Sequence, residues 1–161
     1  MERRGHRQQH GALGAPGPGD LERALEIAKT KGAKRAMLLP VSAPFHCRLM
    51  QPAAEVMAKA LAGVTIKPPA SPLVSNVLAA PITDPDEIRR RLVEQVTGTV
   101  RWRESVAYMA SHGVTRFFEI GAGKVLSGLV KRIADGAVGL SVGGPNDLVA
   151  AKDALAAAQT A

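Results

Sequence analysis

Apolar positions along the chain switch between a helical period and short unbroken runs, and the switching predicts alternating helices and strands. From Asp20 onward, Leu21, Ala24, Leu25 and Ala28 share one helical face, with Lys29, Lys31 and Gly32 as end signals. Ala36-Met37-Leu38-Leu39 is a continuous apolar run stopped by Pro40 and predicts a buried strand. Val56, Met57, Ala60 and Leu61 predict the apolar face of a helix from about Leu49 to Ala62, with Pro52 in its first turn. Leu73 to Val77 reads as a short strand. The clearest helix start is Asp84-Pro85-Asp86-Glu87, with Asp84 as cap, Pro85 as first helical residue and Glu87 as the returning acid of a capping box. Ile88, Leu92, Val93 and Val96 continue it.

A further helix is predicted over Trp102 to His112, with Val106 and Met109 inward and Gly113 as its stop. Val114 to Ile120 then reads as a strand. Gly121-Ala122-Gly123 turns into a helix carrying Val125, Leu126, Leu129, Val130 and Ile133, with Lys131 and Arg132 near its negative end. Val138 to Val142 is the last strand, and Asp147 is placed to cap an Ala-rich helix reaching about Gln159. This order predicts an α/β domain with a largely parallel sheet. No internal repeat is visible.

Residues 1–19 break the pattern. They hold five glycines and two prolines, too little apolar surface to offset the entropy of ordering, and read as a flexible leader in which His6 and His10 are solvated. Aromatic residues make up only 3% of the chain, so the core must be built from Leu, Val, Ile, Met and Ala. The net charge of +7 is scattered, and beyond the leader only Arg89-Arg90-Arg91 forms a run. No aromatic residues interleave with it and no zinc-ligand spacing occurs, which argues against nucleic-acid binding. The run reads as a solvated helix face or as a dock for an acidic partner. Cys47 is the only cysteine, so no internal disulfide is possible, which fits a reducing cytoplasm. No apolar run approaches the roughly 18 residues of a membrane span.

Candidate chemistry centres on Leu38 to Cys47, where a strand stops at a proline-punctuated turn and delivers His46 just ahead of a helix. Beyond the strand ends is where α/β folds carry their sites. The positive start of a following helix disfavours imidazolium, and a neutral ring can take a proton from a hydroxyl nucleophile and return it. A structural histidine bonded to nearby backbone fits the same residue. Cys47 points away from His46 in an extended segment and reads as a small buried residue. Gly121-Ala122-Gly123-Lys124 is either a phosphate cradle or a tight strand-to-helix turn; Val125 stands where a Walker motif needs Ser or Thr. Asn76 is placed to orient a loop or a ligand, or to satisfy local backbone. His112 reads as a helix-end residue.

Leu39-Pro40-Val41-Ser42-Ala43-Pro44-Phe45-His46-Cys47-Arg48-Leu49-Met50-Gln51-Pro52-Ala53 closely resembles the histidine segment of malonyl-CoA:acyl-carrier-protein transacylases. Phe118-Glu119-Ile120-Gly121-Ala122-Gly123-Lys124-Val125-Leu126-Ser127-Gly128-Leu129 resembles a second segment of that family, with Ala122 where the family usually has proline. Pro72 to Val77 and Val100-Arg101-Trp102 fall between them in the expected order. The resemblance runs from about residue 21 to the end and favours the bacterial fatty-acid branch over polyketide relatives.

The resemblance implies an α/β-hydrolase-like acyltransferase core with an inserted ferredoxin-like subdomain. It implies an [acyl-carrier-protein] S-malonyltransferase that moves malonyl from coenzyme A, through an acyl-serine, to the phosphopantetheine thiol of acyl carrier protein. No bound cofactor is implied. His46 is then the general base, and the backbone carbonyl of Gln95 orients it, so that the Gln95 side chain matters little. Asn76 is carried over as a substrate contact. Residues 20–41 match the last helix and strand of the small subdomain, and residues 42–161 the C-terminal part of the core. The family chain is nearly twice as long, and its other half bears the Gly-His-Ser-x-Gly elbow, the oxyanion-hole glutamine and the malonyl-binding arginine. The leader resembles none of it and reads as translation from a wrong frame or start. The chain alone is therefore expected to be inactive and to expose strand edges and apolar faces, with partial folding or aggregation. The alternative is a non-catalytic fragment that binds acyl carrier protein or complements a separate half, using Lys31, Lys34, Arg35 and Arg89 to Arg91.

Overall fold

The computed structural model describes residues 18–38 and 42–159. The expected leader up to residue 17, and Leu39 to Val41, lie outside the described residues. The chain divides into two units, Met1–Pro44 and Phe45–Ala161.

In the first unit the helix α1 spans Pro18–Thr30. It begins before Asp20, which sits in the first turn, where a carboxylate suits the positive end of the helix. Its stop is the one that Gly32 signals. The Gly32 amide bonds Lys29 O and the Ala33 amide bonds Ala28 O, both at 3.0 Å, with Gly32 at φ +85°. This is the left-handed closure that glycine adopts without a Cβ penalty. The strand expected at Ala36–Leu38 does not form: Met37 and Leu38 stay exposed. A strand exists only within a ladder, and none of the described strands pairs with this run.

The second unit opens with a 3-10 turn, Arg48–Met50, and continues as α2 (Gln51–Ala62), β1 (Leu73–Ser75), β2 (Ala80–Ile82), α3 (Pro85–Glu94), α4 (Trp102–Ser111), β3 (Arg116–Ile120), α5 (Val125–Ile133) and β4 (Val138–Val142). A second 3-10 turn, Pro145–Asp147, leads into α6 (Leu148–Gln159). β1 and β2 form an antiparallel hairpin in which Leu73 faces Ile82 and Ser75 faces Ala80. β2 was not anticipated, because three residues with Pro81 at the centre carry no readable period. β3 and β4 are parallel, from Arg116 opposite Val138 to Ile120 opposite Val142, with α5 as the crossover. A Cβ on Gly139 would lie 2.3 Å from Ser127 O, so the approach of α5 to β4 requires a residue without one.

The core lies where α4 and α5 meet β3. Val106 and Val130 are fully buried, with Ala134 beside them and Trp102, Met109, Phe117 and Ile133 packed around. Elsewhere the expected apolar faces are thinly covered. Along α2 the buried residue is Ala54, whereas Val56 is 67% exposed.

Helix ends are held by side chains. Asp84 caps α3 by accepting the Glu87 amide at 2.7 Å. The Glu87 carboxylate does not return to the cap, because Arg90 and Arg91 hold it. Arg89 donates to Leu61 O, and at 2.9 Å to Val64 O, at the C-terminal end of α2. Glu119, on β3, reaches over the following turn to accept the Ser127 amide and hydroxyl at 2.8 Å each and the Leu126 amide at 3.2 Å. That closes the N-terminus of α5. Asp147 turns back to the amides of Gly143 and Gly144 rather than forward onto α6.

Two outcomes follow from this packing. Val106→Ala removes two buried carbons and leaves a void, and is expected to lower the unfolding free energy by about 2 kcal/mol in a urea titration. The Ser127 amide, then the Ser127 hydroxyl, hold the Glu119 carboxyl below its ordinary value of 4.5. The stability this adds is therefore complete above about pH 4.5 and lost as pH falls through the lower folded value. Thermal melts should drop in temperature below pH 4.5, and the drop should be shallower in Glu119→Gln.

Candidate active site

His46 lies in the turn just before the Arg48–Met50 segment, exposed to solvent. Its backbone is left-handed, at φ +59°, a conformation that costs a non-glycine residue about 1–2 kcal/mol. The consequence is a long-range bond: His46 Nδ1 lies 2.8 Å from the main-chain oxygen of Gln95, 49 residues away. A carbonyl offers only lone pairs, so Nδ1 carries the hydrogen. In the neutral ring Nε2 is then bare, and no hydrogen bond engages it among the described residues.

Gln95 supplies this acceptor because it sits at the C-terminal cap of α3. Its own amide bonds Arg91 O at 3.0 Å, and its carbonyl receives no main-chain amide among the described residues. The last carbonyls of a helix lack partners and carry its partial negative charge. That end faces the hydrogen on Nδ1. The electrostatics thus come from the end of α3 and not, as expected from sequence, from the start of the helix after His46, where a three-residue 3-10 turn intervenes.

Asn76 follows β1 and is half-buried; its Nδ2 donates to Gln95 Oε1 at 3.3 Å. His46, Gln95 and Asn76 are therefore brought into one connected group. Cys47 is extended, at φ −142°, and half-buried rather than fully buried. His112 bonds Tyr108 O at 2.8 Å and stacks on its ring at 4.1 Å, at the end of α4. No cluster of three metal-ligating side chains occurs among the described residues, and no helix there is long and apolar enough to cross a membrane.

No family model matches the chain. The malonyl CoA-acyl carrier protein transacylase of Escherichia coli strain K12 is 47% identical over 131 residues, covering 81% of this chain and 42% of that protein. Among solved structures, the acyl-carrier-protein S-malonyltransferase of Bartonella henselae has a TM-score of 0.77 at 50% identity, over 86% of this chain and 44% of that one. A malonyl-transacylase solved with its type II polyketide acyl carrier protein has a TM-score of 0.75 at 40% identity, over 83% and 43%. Over the shared stretch this chain belongs with the malonyl-CoA acyl carrier protein transacylases.

The chain spans about two-fifths of the length of these transacylases. Its α/β fold is theirs over that part. One Gly-x-Ser-x-Gly pattern does occur, at Gly139-Leu140-Ser141-Val142-Gly143. Ser141 lies within β4 opposite Glu119, so it is a ladder residue and not the sharp strand-to-helix turn that exposes a transacylase nucleophile. The Gly121 to Lys124 segment forms a strand-to-helix turn: the Gly121 amide bonds Val142 O at 3.1 Å, and the amides of Leu126 and Ser127 just beyond it point at Glu119. The arginine run is not a free basic face. Arg89 is spent on α2, and Arg90 and Arg91 on Glu87 and Glu94.

Sequence reasoning missed the left-handed turn at His46 and the use of the Gln95 side chain. A non-glycine residue gives no composition signal for positive φ. The turn has a measurable consequence. His46→Val puts a β-branched residue at positive φ and is expected to be less stable than His46→Asn by about 1–2 kcal/mol in chemical denaturation, although both lose the imidazole.

Proposed function

We propose that this chain supplies the general base, and the group that orients it, to a malonyl-CoA:acyl-carrier-protein transacylase of fatty-acid synthesis. The observation that carries the reading is the 2.8 Å bond from His46 Nδ1 to the Gln95 carbonyl, which leaves Nε2 bare at an exposed turn. The nucleophilic serine comes from outside these residues. As its hydroxyl attacks the malonyl thioester, His46 Nε2 takes the proton. When the tetrahedral intermediate collapses, the carbon–sulfur bond breaks and the imidazolium returns the proton to the departing coenzyme A sulfur. The phosphopantetheine thiol of acyl carrier protein then attacks the malonyl-serine, giving its proton to Nε2. Collapse returns that proton to the serine oxygen and leaves malonyl on the carrier.

Acyl carrier protein and the coenzyme A thioester are thus the partners, and the cytoplasm, which suits the single thiol, is the compartment. Residues 20–41 belong in this reading to a small subdomain and residues 42–161 to the acyltransferase core. Exposed apolar side chains such as Ile120, at 83%, and Val125, at 71%, fit packing against the remainder of such an enzyme. The non-catalytic reading keeps Lys31, Lys34 and Arg35, which are exposed, while its arginine run is partly engaged by α2, Glu87 and Glu94.

A chimera tests this. Residues from Asp20 onward replace the matching part of the Escherichia coli relative, whose own sequence supplies the rest. The chimera should transfer malonyl to acyl carrier protein, and His46→Ala should reduce kcat by roughly 10⁴-fold or more. The 161-residue chain alone should transfer none. Transfer by the chain alone, or a chimera indifferent to His46, would overturn the reading.

A further inference from the structure

Gln95 is engaged twice, by two different atoms. Its main-chain carbonyl accepts from His46 Nδ1 and its side-chain carbonyl accepts from Asn76 Nδ2. The second bond joins the end of α3 to the β1–β2 hairpin. That hairpin is itself fixed: Asn76 O accepts the Arg101 amide at 2.8 Å, and the Arg101 guanidinium donates to Leu78 O at 2.9 Å. Ser75, just before Asn76, is buried in the ladder. Gln95, by contrast, lies beyond the last residue of α3, and on the main chain its carbonyl's peptide plane is held by one long bond, from the Val96 amide to Val93 O at 3.2 Å. A carbonyl orients an imidazole only if its own direction is held.

We propose that Asn76 is a positioning residue. Its amide holds the Gln95 side chain against the rigid hairpin, so that the Gln95 carbonyl stays aimed at His46 Nδ1 and the ring stays in the tautomer with Nε2 bare. This rests on reading His46 as the base. It assigns Asn76 away from substrate and makes the Gln95 side chain matter, against both sequence expectations. A ring hydrogen bonded to a fixed outer partner is the usual way in which a histidine tautomer is set.

Nitrogen-15 NMR of the His46 ring in the chimera, where the rest of the fold is supplied, separates the two claims. Wild type should show hydrogen on Nδ1, whereas a free histidine side chain favours Nε2; an Nε2–H ring in wild type overturns the reading of His46 itself. With Nδ1–H present, Asn76→Ala and Gln95→Met should each lose it in favour of Nε2–H. The double variant should go no further than either alone, because both cut the same bond. Gln95→Glu keeps an acceptor for Asn76 and should retain the wild-type ring. Should Asn76→Ala fail to fold, Asn76→Leu has nearly the same size with neither donor nor acceptor and should show the same loss. In the chimera, Asn76→Leu should lower kcat by roughly ten- to a hundredfold with KM for malonyl-CoA unchanged. An unaltered Nδ1–H ring in a folded Asn76 variant, or an effect confined to KM, overturns the proposal.

Discussion

The end of an α-helix leaves carbonyls with no amide to meet. At the end of α3 most are taken locally: Val93 O by the Val96 amide and Glu94 O by the amides of Thr97 and Gly98. Gln95 O remains, and His46 takes it. One leftover acceptor thus fixes the hydrogen on Nδ1, bares Nε2, and gives a surface histidine a direction. Replacing a buried carboxylate by a helix-end carbonyl has a physical advantage. The dipole is neutral overall, so no full charge has to be desolvated beside the ring, yet its negative end still faces the proton.

That contact depends on where α2 and α3 lie. His46 stands just ahead of the turn into α2, and Gln95 just after α3. At the opposite end, Arg89 near the start of α3 bonds Leu61 O and Val64 O at the finish of α2. The two helices therefore run in opposite senses and are clamped at both ends, each time by a side chain of one stretch donating to a main-chain carbonyl at the end of the other helix. Asp84 sets where α3 begins, and Ile88 buries its inner face. His46 and its acceptor are fixed by helix-end chemistry more than by a deep core.

Much of the scaffold was legible because its signals are local. The caps and stops at Asp84, Gly32 and Gly113 act within a turn of the chain, and the run Val138 to Val142 forms the strand expected of it. What stayed hidden depends on partners far away in sequence. Ala36–Leu38 has strand composition without a ladder to join. Arg89 looks like part of one basic face with Arg90 and Arg91, yet it reaches Leu61 O, 28 residues away, whereas its two neighbours pair locally with Glu87 and Glu94. Ser141 satisfies a serine-elbow pattern while sitting inside a strand. The pairing of His46 with Gln95 entered through family resemblance alone, since no rule of spacing connects residues 49 apart.

An imidazole held this way has its proton placed but its surroundings open. General-base catalysis needs the hydroxyl within hydrogen-bond reach of Nε2, and it needs water kept from competing for that nitrogen. His46 meets neither condition from its own surroundings, because its turn is open to solvent. Its neighbours Phe45 and Leu49 are each more than half exposed. Apolar groups beside a bare ring nitrogen are what a covering surface would use to expel water while delivering an alcohol. The direction of the ring hydrogen is thus set within this chain by the end of α3, and the apolar surface beside it is left in water.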